Sequence, residues 1–313
     1  MANATINRRK KLPLRIRWGK FKLELPLHLM LLPGIILVFI FSYLPMFGLV
    51  MCFQKFNIVG SFWRSKFIGF KNFEYIFRLK DFWRAFRNSF TIAFLKIIFG
   101  LVVPLSMSLL INEVDCNPFK RSVQTAIFLP YFLSWAVLGG VVQEIFALDG
   151  LINNIIVAMG GKPIFFLASN SWFRFVLIST DVWKGMGYNI IIFLAAITNV
   201  DPGLYDSASI DGCNRPRQVW HVTLPGMLPI IVLVSTLSIG SLLNAGFEQI
   251  FILYSPLVYS SADIIDTLVY RFGLVNGQLA PAAAMGLFKS VISLALVGIA
   301  YYSAYKFSDY RIF

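Results

Sequence analysis

Six apolar runs, each about the length that crosses a bilayer as a helix, constrain this 313-residue chain more than any other feature. They lie at about 28–52, 87–111, 123–147, 172–198, 223–245 and 281–305. Hydrophobic residues make up 58% of the chain and charged residues only 14%, too little charge to solvate a soluble protein of this length. A transmembrane barrel would alternate apolar and polar residues in segments of about ten, and no such alternation is present. The expectation is an all-α integral membrane protein: a basic segment, 1–27, followed by one six-span domain, 28–313.

The formal charge of +13 is unevenly placed. Eight of the 28 basic residues (Arg8, Arg9, Lys10, Lys11, Arg15, Arg17, Lys20 and Lys22) precede the first run. Such a cluster favours a cytoplasmic N-terminus and can lie along anionic lipid, which makes membrane lipid the partner and not nucleic acid. The first run is too long for a cleavable signal, and no small-residue cleavage site follows it. Six crossings from a cytoplasmic start put both termini and the 112–121 and 199–222 loops inside, with three loops outside. The segment at about 53–86 resists this, with seven basic residues against Glu74 and Asp81. Its many aromatics suit a layer lying at the outer interface.

Little in the chain supports catalysis. The three cysteines are far apart, only two histidines are present, and no P-loop occurs, so neither a metal site nor an ATP site is expected. The polar interest lies inside the spans. Span two carries Lys96, Gly100 and Pro104, and span three carries Pro130, Ser134 and the Gly139, Gly140 pair. Span four, roughly 40 Å long as helix, contains Asp181 and Lys184 on one face, with Tyr188 a turn further on. Each charge would cost about 3 kcal/mol if left facing lipid. Two readings stand: a self-neutralising pair that locks helix packing, or the polar wall of a translocation path. In span five, Ser241, Asn244 and Glu248 share a helix face, with Gln249 beside them, and could bond either sugar hydroxyls or other helices. In span six, Ala282, Gly286 and Ser290 form a small-residue seam that suits packing.

The longest polar break in the second half is 204–225. Asp201 followed by Pro202 ends span four. A short helix over 205–211 then meets Gly212, and a basic turn with Arg215, Pro216 and Arg217 leads to Leu224 and Pro225. Such an insert needs a partner at the membrane surface, unless it is an ordinary solvated loop.

This segment resembles the EAA loop of ABC-importer permeases: Glu-Ala-Ala, three residues, Gly, then Ile/Leu-Pro about a dozen residues on. Asp206, Ser207 and Ala208 stand where that motif has Glu-Ala-Ala, Gly212 matches its glycine, and Leu224 with Pro225 its terminal pair. Asp206 keeps the acid one methylene shorter, and Ser207 still fits a tight groove. The likeness extends to Trp183-Lys184-Gly185, to Gly246 through Gln249, to Asp266, Thr267, Tyr270 and Arg271, and to 286–290. Over essentially its whole length the chain is similar to MalF/LplB-like permeases of binding-protein-dependent carbohydrate ABC importers.

The resemblance implies a six-helix type I importer fold (MetI/MalF-like) whose 201–224 loop is the coupling segment. Tyr205, Asp206, Ser207, Ala208, Asp211, Gly212, Arg215, Arg217, Leu224 and Pro225 would meet the ATPase, while spans four and five line the path. It also implies a second homologous permease, two ATPase subunits holding ATP and Mg, and an extracytoplasmic solute-binding protein that delivers an oligosaccharide. The basic outer segment is compatible with an acidic sugar. A stand-alone secondary transporter or channel working through the Asp181 and Lys184 face is the alternative; a membrane enzyme lacks any convergent catalytic set.

Overall fold

The computed structural model describes residues 14–56, 65–240 and 242–308, in two units: one up to Met51 and one from Cys52 onward. In the first, α1 (Leu14–Val38) contains Pro26 and Pro33 and passes into a π-helical turn, Phe39–Tyr43. A 3-10 stretch, Leu44–Phe53, follows. Pro45 offers no N–H to a carbonyl four residues back, and the ladder changes pitch there: Leu44 N–H bonds Phe39 O, five residues earlier.

The second unit opens with two short antiparallel strands, β1 (Gln54–Lys55) and β2 (Lys66–Phe67), in the register Gln54 to Phe67 and Lys55 to Lys66. The amphipathic helix α2 (Lys71–Arg78) buries Asn72 and Ile76. Asn72 Nδ2 donates to the carbonyls of Cys52 (2.8 Å) and Gln54 (3.0 Å), which ties α2 to the start of the hairpin. The segment expected as an outer layer is thus ordered in its described part, with Phe67, Phe70, Tyr75, Phe77 and Trp83 left exposed.

The remaining helices are α3 (Lys80–Asn112), α4 (Asn117–Phe128), α5 (Trp135–Ile145), α6 (Leu151–Ala158), α7 (Asn170–Thr198), α8 (Pro202–Ile210), α9 (Arg215–Gln218), α10 (Leu224–Gly240), α11 (Phe247–Leu253), α12 (Tyr259–Ala262), α13 (Ile265–Tyr270) and α14 (Leu279–Ser308). Among the described residues, four helical runs are long and apolar enough to cross a membrane: Glu24–Phe53, Lys80–Asn112, Arg215–Gly240 and Leu279–Tyr302. The pair Asn117–Phe132 and Trp135–Ile145, bent by 112°, has the length and apolar character of a fifth when its two arms are taken together. The 29 residues of α7, about 44 Å of helix, supply the length of the sixth. Its charged residues lower its hydropathy but turn toward other helices.

Two spans expected as continuous are broken. Span three bends at residues 129–134, where Pro130 removes a donor and Ser134 caps α5 by accepting from Val137 N–H at 3.4 Å. Span five stops at Gly240, and α11 starts only after Gly246, whose φ of 89° is left-handed. Asn244 and Glu248 therefore do not share one helical face, and Ser241 lies outside the described residues. The expected helix in the 148–171 loop is α6; Asn153 staples it with bonds to Ala147 O (2.8 Å), Ile164 O (3.0 Å) and Ile164 N–H (2.7 Å). Of the small-residue seam in span six, Ala282 is buried against Gly273, whereas a Cβ on Gly286 would meet nothing within 4 Å and Ser290 is exposed.

α3 and α7 pack along their length and form the spine. Ile92 and Ala93 of α3 meet Phe173, Val176 and Leu177 of α7, and Leu138 of α5 joins them. At the other end Phe193, Ala196 and Ile197 pack with Met227 of α10. At Gly187 the end of α4 packs tightly on α7: a Cβ there would lie 2.8 Å from Ile127 O and 2.9 Å from Phe128 Cα. Replacing Gly187 with valine is expected to destabilise the protein by about 1–3 kcal/mol through overpacking. Gly185→Ala, which meets nothing within 4 Å, is the neutral control, and thermal unfolding in detergent compares the two.

Candidate functional site

The polar centre of the spans is built on Lys96, a lysine in an otherwise apolar stretch of α3. Its ammonium is 8% exposed and donates to Asp181 Oδ1 at 2.9 Å, Ala245 O at 2.8 Å and Gln249 Oε1 at 2.5 Å. Three N–H donors thus meet three acceptors, contributed by α7, by the break in span five and by α11. Gln249, fully buried, returns two bonds to α7, to Leu177 O and Thr180 Oγ1, both at 2.8 Å. Gly246 makes room for this arrangement, because a Cβ there would lie 2.9 Å from Lys96 Nζ.

Asp181 is therefore not paired with Lys184. The i,i+3 spacing puts both on α7, but Asp181 turns to α3 and Lys184 to the elbow of span three. Lys184 Nζ donates to Tyr131 O (3.0 Å) and Leu133 O (2.5 Å), and lies 5.8 Å from the ring centres of both Tyr131 and Trp135. These carbonyls close a helix C-terminal end, where the peptide dipoles favour a cation. Tyr188, half exposed, stacks on Tyr131 with centroids 5.4 Å apart and planes 13° from parallel.

A cavity of about 200 Å³ opens beside the lysine, and Asp181, Asn189, Ser238, Asn244 and Gly246 are in its wall. Of the residues expected along a path, it brings together Asp181 and Asn244. Gln249 stands behind Lys96, while Lys184 and Tyr188 form the separate aromatic elbow, and Glu248 is exposed outside the cavity wall. Lys96 and Asn189 were not singled out for this role by the sequence. An isolated lysine in one span and an aspartate in another is the signal that could have found the pair, since neither is stable alone in hydrocarbon.

The 201–224 segment folds into a helical hairpin. Asp201 caps α8 by accepting from Gly203 N–H at 2.9 Å, and Pro202 occupies its first turn. The helix ends in a Schellman motif: Cys213 N–H reaches Ala208 O (2.9 Å) and Gly212 N–H reaches Ser209 O (3.1 Å), with Gly212 at a φ of 75°. Asn214 then caps α9, accepting from Arg217 N–H at 3.2 Å. Two contacts close the hairpin: Gln218 Nε2 donates to Ser209 Oγ (2.9 Å), and the Tyr205 hydroxyl bonds Thr223 Oγ1 (2.9 Å). Arg215 reaches Glu113 at the end of α3, 3.6 Å away.

Ser207 bonds within its own helix, to Gly203 O, and Ala208 is half-buried; Asp206, Asp211 and Arg217 face out. Exposed with them are the apolar Leu204 (51%), Ile210 (87%) and Trp220 (70%). From α9 a π-helical turn, Val219–Thr223, runs directly into α10, with Leu224 N–H bonding Val219 O just ahead of Pro225. The same device precedes Pro45.

At the opposite end of α7, a polar network that sequence spacing does not reveal joins α3, α7 and α13. Asp263, fully buried, accepts from Arg271 in a bidentate pair (2.6 and 3.2 Å) and from Thr267 Oγ1 (2.8 Å). Burial works against the Arg271 charge, but the hydrogen bond and charge of Asp263 outweigh it and hold the guanidinium above its ordinary pKa. Asn88 Nδ2 bonds Asp263 O at 3.1 Å and its Oδ1 accepts from Arg174 Nη2 at 2.7 Å. Lys289 of α14 grips Asp266 of α13 through both carboxylate oxygens, at 2.6 and 2.7 Å.

A bundle of apolar spans around a polar seam, with a helical hairpin projecting between two of them, is the architecture of a transporter's membrane subunit. Residues 100–309 match the family described as binding-protein-dependent transport system inner membrane component, and the chain belongs to that family. It is a multi-pass membrane protein and a transport component. It is 40% identical to Protein LplB of Bacillus subtilis (strain 168) over 92% of this chain and 91% of that one. It is 38% identical to the polygalacturonan/rhamnogalacturonan transport system permease protein YteP of the same organism, over 98% and 94%. Its fold superimposes on a chain of a bacterial ABC transporter involved in the import of the acidic polysaccharide alginate, with a TM-score of 0.86 and 36% identity over 93% of this chain and 99% of that one.

Removing either partner of the Lys96 and Asp181 pair leaves a charge without its counter-ion. Asp181→Asn, which strands the buried Lys96 ammonium, is expected to cost about 3–5 kcal/mol of stability, and Lys96→Met less, because Asp181 is 34% exposed at the cavity wall. The double variant should lose clearly less than their sum. A double-mutant cycle on thermal unfolding of the purified protein measures the coupling.

Proposed function

We propose that this chain is the permease subunit of an ATP-driven importer of oligosaccharides, including acidic ones derived from polysaccharides. The hairpin carries the reading: α8 and α9 are locked to each other, yet Leu204, Ile210 and Trp220 stay uncovered beside Asp206 and Asp211. A rigid element with an exposed apolar face and charges of both signs suits docking on another subunit. In this proposal that subunit is one of two ATPases, which hold ATP and Mg. A second homologous permease completes the membrane part, and an extracytoplasmic binding protein delivers substrate. The chain sits in a bacterial plasma membrane with both termini and the hairpin cytoplasmic.

Support for an acidic substrate comes from two sides. Among the relatives are an alginate importer and a polygalacturonan/rhamnogalacturonan permease, and a structure of the alginate transporter in complex with an alginate pentasaccharide-bound periplasmic protein matches this chain over 92% of its length, with 36% identity. Within the chain, Lys184 carries a charge that, among the described residues, is met by carbonyls and ring faces, beside the stacked pair Tyr131 and Tyr188. Such a group suits a pyranose with a carboxylate. Asp181, Asn244 and Gln249, with Ser241 and Glu248, would line the remainder of the path. A secondary transporter coupled through Asp181 is disfavoured, because Lys96 already neutralises that carboxylate.

Gly212 gives the sharpest test. A Cβ there meets nothing within 4 Å, so only its φ of 75° opposes substitution. An L-residue in this region costs about 1–2 kcal/mol, less for asparagine and more for a β-branched residue. In the reconstituted complex, Gly212→Val and Asp206→Lys are expected to reduce uptake per ATP hydrolysed about ten-fold or more, with assembly intact, while Gly212→Asn keeps most of it. Normal transport by the first two would refute the coupling role. Uptake driven by an ion gradient in liposomes lacking any ATPase would refute the class.

A further inference from the structure

Glu248 is exposed on α11, and among the described residues no hydrogen bond or ion pair reaches its carboxylate. The cations of the bundle are committed elsewhere: Lys96 to Asp181, Lys184 to the elbow carbonyls, Arg271 to Asp263 and Lys289 to Asp266. Contacts on both sides fix its depth. Gln249, the next residue, bonds Leu177 O and Thr180 Oγ1, so Glu248 lies level with that stretch of α7. The apolar run of that span begins at about 172, so this level is about 8–12 Å of helix inside it. One turn beyond Glu248, Ile252 packs on Gly139 and its carbonyl accepts from Gln143 Nε2 at 2.9 Å. These contacts set the rotation of α11: Gln249, Ile250 and Leu253 are buried, and Glu248 and Phe251 point away from the chain's own core.

Aromatic rings flank the carboxylate. Phe247 stacks on Phe251 with centroids 5.3 Å apart, and Tyr270 of α13 meets the two rings at 6.0 and 4.8 Å. A free carboxylate is not stable against hydrocarbon at this depth, and Glu248 is not part of the cavity wall beside Lys96. A carboxylate set among ring faces suits a guanidinium or an ammonium, which pairs with the acid and rests on the rings. Within the chain the same demand is met by joining Lys96 to Asp181 across two helices.

We propose that Glu248 receives a lysine or arginine from a span of the second permease, an ion pair that closes this face of α11 between the two subunits. The inference rests on the reading of this chain as one of two paired permeases. Charge complementarity at membrane depth selects the occupant. An acyl chain brings no cation to this level, and a bare carboxylate beside the path would repel the acidic sugar that the path is proposed to carry.

The test uses the full chain produced together with the second permease and the ATPases. Benzoylphenylalanine placed at Phe251 is photo-activated in native membranes, and its adduct is identified by mass spectrometry. The adduct is expected on a span of the second permease, close to a lysine or arginine. In the purified complex, Glu248→Lys should lower recovery of the second permease with this chain about ten-fold, and Glu248→Gln by less. Changing the partner cation so located to glutamate should restore recovery in the Glu248→Lys background, which a merely structural role for Glu248 would not produce. An adduct with lipid alone or with sugar overturns the proposal. So does undiminished recovery in Glu248→Lys, or a charge swap that restores nothing. In each of these cases a wild-type complex that contains both permeases leaves the underlying reading intact. A wild-type chain that brings down no second permease overturns both.

Discussion

A single buried ammonium sets the architecture of the membrane part. Lys96 cannot stay charged in an apolar environment without acceptors on every side, and the acceptors it finds dictate what the neighbouring helices do. Asp181 fixes the rotation of α7 against α3. Ala245 presents its carbonyl only because span five is unwound there, and Gly246 leaves space for the lysine only because it has no Cβ. Gln249 relays the contact back to α7. The break in span five is thus the condition for burying the charge, and the polar cavity is the space that the break leaves open.

Much of this was legible in the sequence, and the limits have physical reasons. Apolar run length identified the spans, because crossing a bilayer imposes a length that composition reveals directly. The hairpin was legible because its signals are local: Asp201 ahead of Pro202, Gly212 at a left-handed turn, and a polar stretch between apolar runs. The breaks in spans three and five were not, since apolar residues continue through both. Only Pro130 and Gly246 mark them, and either residue is compatible with an unbroken membrane helix. The pairing of Asp181 failed for a related reason. Helical periodicity places two residues on one face but says nothing about a lysine 85 positions away in another span. The Asp263, Arg271 and Asn88 network depends likewise on contacts between residues as many as 175 positions apart.

The two charged residues expected to act together on α7 serve different elements. Asp181 holds the spine together, whereas Lys184 closes the frayed end of a bent span. Lys184, like the Lys96 partner of Asp181, is satisfied through backbone that a regular helix would have kept to itself. In this protein irregular backbone and intramembrane charge occur together because each supplies what the other lacks: a free carbonyl needs a donor, and a buried cation needs an acceptor.

The run from Arg215 to Gly240 is helical throughout, with a π turn in place of a loop at Val219–Thr223. No loop separates the projecting hairpin from the far end of α10, so in the proposed coupling role the two would be joined by one continuous helical element. The first joint in that line is the unwound stretch ending at Gly246, where the next contact is Lys96. Under the proposed coupling role, force entering at the hairpin would reach the junction where the Lys96 charge joins α3, α7 and α11.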